Sequence, residues 1–242
     1  MLKIAPAPSG KRFGIEEVEI IRAMAEFKTL VWTDTPFRLN SGVYSNVYFF
    51  GREDLTDNPV YSKLFGKFLG RQVCEYFNGV GETRRPIVIG VPTAGNGFAA
   101  SVTHYDAMPQ LKVTPPGFRV MREKLKETHG SASQKGYWVN GRSKPDTECY
   151  ATMENVVTSG ESHFKAIDRL NSDGYPTKEM PHFVVMDRQQ GGVKKMQAAG
   201  YNMIPIFLLL DTIWAFKTLG VEGWTAERVA TVENEIRTKQ VA

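Results

Sequence analysis

Three turns rich in glycine and hydroxyl side chains hold the residues of this sequence whose types and spacing suit anion chemistry. The first reads Gly90-Val-Pro-Thr-Ala-Gly-Asn-Gly97. Its glycines let backbone N–H groups come close to an anion. It is no Walker A loop, because Gly95 is followed by Asn96, and neither it nor Gly79-Val-Gly81 completes G-x-G-x-x-G. The second, Glu154-Asn-Val-Val-Thr-Ser-Gly-Glu-Ser162, ends an apolar run on an acid and opens a helix with hydroxyls and glycine. Free N–H groups at a helix N-terminus attract anions, and Glu154 can accept hydrogen bonds from sugar hydroxyls. The third, Asp187-Arg-Gln-Gln-Gly-Gly192, places Arg188 where it can grip a carboxylate with two parallel hydrogen bonds. A fourth stretch carries Arg122, Lys124, Lys126, His129 and Lys135 among Glu123 and Glu127. A basic loop of this kind can close over a polyanion and exclude water. Each feature also has a plain structural reading: a tight turn, a capped helix, an Asp187–Arg188 surface pair, and a solvated loop.

The elements that must position these turns follow from periodicity. Val18, Ile21, Met24 and Phe27 recur at helical spacing over 15–27. Residues 37–50 are aromatic and interrupted by Ser41-Gly42, which predicts a β-hairpin. Asn58-Pro59 starts a helix expected to reach about Tyr76. Strands are predicted at 86–90, 118–121, 149–157, 183–186 and 201–207, with Pro205 marking a strand end. Helices are predicted from about Phe98, after Gly160, over 192–200, near 208–219 and over 225–239. Residues 123–146 are polar and predict a long flexible loop. Strands alternating with helices argue for an α/β fold with a parallel sheet, whose ligands bind at the carboxyl ends of the strands.

Composition sets the outer bounds. The chain has 242 residues, a net charge of +4 and 42% hydrophobic residues. That supports a real core and excludes global disorder. No apolar run approaches the ~18–20 residues of a membrane span. Residues 1–13 lack a signal core, so a cytoplasmic protein is expected. Cys74 and Cys149 cannot make a disulfide framework or a thiolate metal site. The mild charge excess suits a small anionic ligand and gives no argument for nucleic acid.

The motifs occur in a particular order: Phe-x-Leu-x-Ser-Gly from Phe37, Gly-Val-Pro-Thr-Ala-Gly from Gly90, a basic loop ending His-Gly, Glu-x-Val-Val-Thr-Ser-Gly from Glu154, and Asp-Arg-Gln-Gln-Gly from Asp187. This order resembles the orotate phosphoribosyltransferases, type I phosphoribosyltransferases, over 37–192. The resemblance implies a parallel sheet flanked by helices, a small N-terminal hood with a β-hairpin over 1–57, and a core over 58–242 with a mobile loop at 122–148. It implies transfer of phosphoribose from phosphoribosyl pyrophosphate to orotate with Mg²⁺, giving orotidine 5′-monophosphate and pyrophosphate. Thr158, Ser159, Gly160, Glu161 and Ser162 would cradle the 5′-phosphate. Glu154 would bind the ribose hydroxyls, with Asn155 and Val157 beside it. Thr93, Ala94 and Gly95 would lie near pyrophosphate, which Arg122, Lys124, Lys126 and His129 would contact. Lys126, His129 and Glu154 would stand nearest the chemistry. Phe37, Ser41, Gly42, Thr158 and Arg188 would hold orotate, Arg188 through its carboxylate. The family's loop reaches into a neighbouring subunit's site, which implies a homodimer. No metal ligands on the protein are implied.

The chain departs from the family at Asn155, where a second acid is usual, at Asn40, where Lys is common, and at Asn46 and Phe50 in the hairpin. Two other readings therefore stand beside the first: transfer to a different base, or a nucleotide-sensing regulator without turnover. Elsewhere, His104, His163 and His182 lack metal-like spacing and are expected to be structural. Asp168 and Asp187 pair with no other acid. The tryptophans are expected in the core or its rim, and Glu227, Glu233, Glu235, Arg228 and Arg237 on a solvated helix face.

Overall fold

A computed structural model describes residues 5–39, 41–50, 57–105, 114–126, 136–139 and 143–240. Asn40, Glu127, His129, Lys135 and the side chain of Lys126 lie outside the described residues. In chain order the elements are α1 (Ile15–Glu26), β1 (Leu30–Arg38), β2 (Tyr44–Phe49), α2 (Pro59–Gly79), β3 (Arg85–Gly90), α3 (Gly95–Ser101), β4 (Gly117–Lys126), β5 (Gly136–Trp138), β6 (Glu148–Val157), α4 (Glu161–Ser172), β7 (Pro181–Asp187), α5 (Gly192–Ala198), β8 (Asn202–Leu208), α6 (Leu209–Thr218) and α7 (Ala226–Thr238). A six-stranded sheet runs β5-β4-β3-β6-β7-β8, parallel except for β5. Strands β1 and β2 form a separate antiparallel hairpin.

The strands are apolar on both sides because helices cover both faces. Val88 and Phe183 join Ile21, Phe65, Phe98 and Ile213 in the larger core. Their neighbours Ile87, Ile89 and Val184 point the other way, toward Leu170, Ile167 and Met196. Helix α2 starts as its sequence dictates: Asn58 Oδ1 accepts from the N–H groups of Val60 and Tyr61 at 3.0 and 3.1 Å, with Pro59 in the first turn. It continues past Tyr76 to Gly79, because Phe77 still faces the core.

Three expectations change. The polar stretch predicted as loop is partly sheet: β4 runs through Lys126, and its pairing with β5 sets Met121 opposite Trp138. Trp138 is buried against Tyr175 and donates from Nε1 to Asp173 Oδ2 at 2.6 Å. The hairpin starts at Leu30, seven residues before Phe37, because Asp34 and Pro36 hide the alternation of an exposed strand. Pro205 does not end β8. It pairs in register with Val184 on the sheet's outer strand, where a missing N–H is tolerated.

Helix α2 meets the segment after α3 through Gly66 and Gly70. A Cβ on Gly66 would fall 2.0 Å from the Ser101 carbonyl oxygen, and one on Gly70 would fall 2.4 Å from Tyr105 Cβ. Gly66→Ala gains about 1 kcal/mol of helix propensity, which backbone overpacking of ~1–3 kcal/mol or more outweighs. Gly79 has nothing within 4 Å of the same position. Urea unfolding is expected to show Gly66→Ala destabilised and Gly79→Ala neutral or stabilised; equal effects would contradict the packing account.

Candidate active site

A cavity of about 390 Å³ opens at the carboxyl ends of β3, β6 and β7, beneath the β1–β2 hairpin. The order of the parallel strands reverses between β3 and β6, so two successive strand-to-helix turns diverge there and leave a crevice. Of the residues expected from the sequence, Thr93, Ala94, Glu154, Asn155, Val157 and the whole Thr158–Ser162 turn line it, together with Ser41 and Arg188. Gly95 lies behind the wall, where a Cβ would meet the Met153 carbonyl oxygen at 2.4 Å. Phe37 packs edge-on against Tyr48, which does line the cavity, and Gly42 makes the turn at φ +83°.

The Thr158–Ser162 turn is built as an anion cradle. Gly160 caps α4 in the left-handed region at φ +79°, and no side chain satisfies the helix's first N–H groups. The third turn fixes it from behind. Gly192 N–H donates to Thr158 O at 2.9 Å, and a Cβ on Gly192 would lie 2.5 Å from that oxygen. Gly192 is thus required by close approach and Gly191 by its left-handed φ of +106°, where the sequence showed only a helix start.

Glu154 ends the buried stretch of β6 with its Oε2 2.8 Å from His163 Nδ1. His163 and His182, expected to be structural, meet at 3.1 Å, with Thr152 Oγ1 2.8 and 2.9 Å from their facing nitrogens. Glu123 and Arg38 also line the cavity and were missed by sequence reasoning. Thr93 Oγ1 donates to Glu123 Oε2 at 3.2 Å. Arg38 alternates with Phe37 on β1, and only the partner register with Tyr44 reveals its side.

Arg122 and Lys124 do not line this cavity. Strand β4 directs the Arg122 guanidinium to the Trp138 carbonyl, and Lys124 is solvent-exposed. Arg188 is neither a surface residue nor paired with Asp187. It is 2% exposed, and its guanidinium donates to Val47 O (2.9 Å), Ser45 Oγ (2.6 Å), Glu235 Oε1 (3.1 Å) and Gln190 Oε1 (3.2 Å). Four of the five donors of the side chain are engaged, so a two-bond grip on a carboxylate is not available in this arrangement. Glu235 was expected on a solvated face. It is buried because α7 folds over the hairpin and supplies the counter-charge. Burial lowers the Arg188 pKa below the ordinary arginine value, and Glu235 offsets only part of that.

Burial raises the Asp187 pKa from 3.8 to about 6, against the Gln189 N–H that favours the anion and the more distant charge of Lys194. A raised carboxyl pKa means the fold prefers the neutral form. Stability from this group is full below about pH 4 and is lost as pH rises through 6. Asp187→Asn keeps an acceptor for Gln189. It is expected to change the melting temperature little at pH 4 and to raise it at pH 8, by the equivalent of about 1–3 kcal/mol; the same shift at both pH values would contradict the burial account.

No family model matches the chain. The chain is similar to an orotate phosphoribosyltransferase of Nostoc sp., 26% identical over 191 residues, covering 79% of this chain and 84% of that protein. An orotate phosphoribosyltransferase of Aeropyrum pernix is 30% identical over 173 residues, covering 72% of this chain and 81% of that protein. Among solved structures, the orotate phosphoribosyltransferase of Francisella tularensis superposes with a TM-score of 0.64 at 12% identity, covering 92% of this chain and all of that one. The fold is shared, and at 30% identity over most of the Aeropyrum pernix protein the chain belongs to the orotate phosphoribosyltransferase family.

Proposed function

We propose that this chain transfers the phosphoribosyl group of phosphoribosyl pyrophosphate to orotate, a step of pyrimidine synthesis. The observation that carries this reading is the set of groups brought to one cavity: an uncapped helix start with the Thr158, Ser159 and Ser162 hydroxyls, the Glu154 carboxylate, and Arg38, Ser41 and Tyr48 of the hairpin. There Ser41 Oγ is buried with no partner among the described residues, as a group awaiting a ligand would be.

The chemistry needs few actors. The C1′–oxygen bond to pyrophosphate breaks as orotate N1 bonds C1′, through an oxocarbenium-like state, and the N1 proton leaves to pyrophosphate or water. The cradle holds the 5′-phosphate and Glu154 accepts from the ribose hydroxyls, so the sugar is oriented at both ends. Ser41 and Tyr48 face the base. Arg38 adds a cation at the hairpin rim, and Arg188, from the cavity floor, has one donor left for the orotate carboxylate. Pyrophosphate leaves as a polyanion, which cations stabilise.

Magnesium fits this site as part of the substrate. Among the described residues no cluster of His, Cys, Asp or Glu could hold a metal ion, whereas pyrophosphate oxygens can. Bound there, the ion would offset charge on the leaving group. Arg122 and Lys124 stand outside their own chain's cavity, which supports a homodimer in which the basic loop, with Lys126 and His129, serves the neighbouring site. A cytoplasmic setting belongs to the same reading. Both cysteines are buried and free, their thiols pushed up by burial to about 11 (Cys74) and about 12 (Cys149), and no described helix is long and apolar enough to cross a membrane.

Orotate absorbance is expected to fall when protein is mixed with phosphoribosyl pyrophosphate and Mg²⁺. Thr158→Val should raise the KM for phosphoribosyl pyrophosphate roughly ten-fold, as loss of a hydrogen bond to a charged group does. Turnover of uracil or a purine with none of orotate would point to another base. Tight binding without turnover, rescued by Asn155→Asp, would make the chain a regulator.

A further inference from the structure

We propose that His163 is a positioning residue for Glu154, and that it ties the ribose acceptor to the phosphate cradle through a buried relay with Thr152 and His182. This rests on the reading of Glu154 as the group that accepts the ribose hydroxyls.

The geometry carries the argument. His163 lies in the first turn of α4, one residue beyond Ser162, the last residue of the cradle. Its Nδ1 is 2.8 Å from Glu154 Oε2, and its ring is fully buried. One hydrogen bond therefore joins the helix start that would hold the 5′-phosphate to the acid that would hold the ribose. A long carboxylate side chain at the edge of an open cavity has rotamers to lose on binding. Holding it in place beforehand removes that cost. Asn155, where the family usually has a second acid, leaves Glu154 as the acid of this motif, so its orientation matters more here.

Hydrogen-bond accounting defines the relay. The Thr177 carbonyl, 2.8 Å from His182 Nε2, can only accept, so His182 carries its proton on Nε2 and offers a lone pair at Nδ1. Burial, with His163 next, lowers the His182 pKa to about 3, which agrees with a neutral ring. His163 Nε2 faces that lone pair at 3.1 Å, and Thr152 Oγ1 lies within 2.9 Å of both nitrogens. Thr152 Oγ1 bridges the two facing nitrogens and holds both rings in place, while His163 Nδ1–H donates to Glu154 Oε2. The arrangement holds Glu154 by Oε2 from the buried side, and Glu154 itself lines the cavity.

The test compares His163→Leu, which removes the donor at similar volume, with His163→Asn, whose amide N–H replaces Nδ1–H. His163→Leu is expected to raise the KM for phosphoribosyl pyrophosphate roughly ten-fold and leave the KM for orotate unchanged. His163→Asn should recover most of the loss. Glu154→Gln should raise the same KM at least as far, and adding His163→Leu to it should cost little more. If His163→Leu leaves that KM unchanged, or the two effects simply multiply, the positioning role is overturned while the reading of Glu154 stands. If Glu154→Gln itself has no effect on phosphoribosyl pyrophosphate, that reading falls and the inference with it. The unaltered protein gives an independent check should a variant not fold. ¹⁵N-histidine NMR is expected to show a slowly exchanging His163 Nδ1–H signal that moves when phosphoribosyl pyrophosphate binds; a ring protonated at Nε2 alone would overturn the proposal.

Discussion

The Arg188 guanidinium donates at once to the second strand of the hairpin, through Val47 O and Ser45 Oγ, and to Glu235 on the last helix. Its own backbone continues β7, with Arg188 N–H donating to Val157 O at the end of β6. One side chain thus joins the sheet that carries the phosphate cradle, the hairpin that would roof the base, and the helix that closes over both. A buried cation is costly unless its donors are satisfied and its charge is matched. Here the matching carboxylate comes from 47 residues further along the chain, so the hold on the hairpin depends on α7 as well as on the sheet. The cavity takes its depth from that constraint, because its floor and its roof are held by the same group.

Around this anchor the site divides its work by backbone type. Anion binding falls to main-chain N–H groups and short hydroxyls at a helix start. These are pre-oriented and need little reordering when ligand arrives. Glu154, in the cavity wall, is tied through Oε2 to buried His163. The hairpin brings the rings of Tyr48 and Phe49 to the same cavity. The cations of this chain that line the cavity are, among the described residues, Arg38 and Arg188.

Much of this was legible in the sequence, for reasons that can be named. The strands β3 and β7 are buried on both faces and carry short apolar runs, Ile87–Ile89 and Phe183–Met186, and β6 is buried from Glu148 to Glu154. The turns after them carry glycines that close approach demands, as at Gly192. What was not legible depends on contacts distant in sequence. Nothing near Glu235 distinguishes it from the exposed acids of α7, because its burial follows from Arg188. His163 and His182 lie 19 residues apart, and only the parallel pairing of β6 with β7, which sets Thr152 opposite His182, brings them to one point. Trp138 was placed in a loop because β5 is three residues long and gives no periodic signal.

The central claim is that Arg188 and Glu235 together hold the hairpin to the sheet. Amide hydrogen exchange of Glu235→Gln against the unaltered protein tests it most directly. The account predicts that the amides of β1 and β2, Val47 among them, lose protection, while those in the middle of β6 and β7 keep theirs. Unchanged protection of the hairpin, or equal loss across the whole sheet, would contradict it.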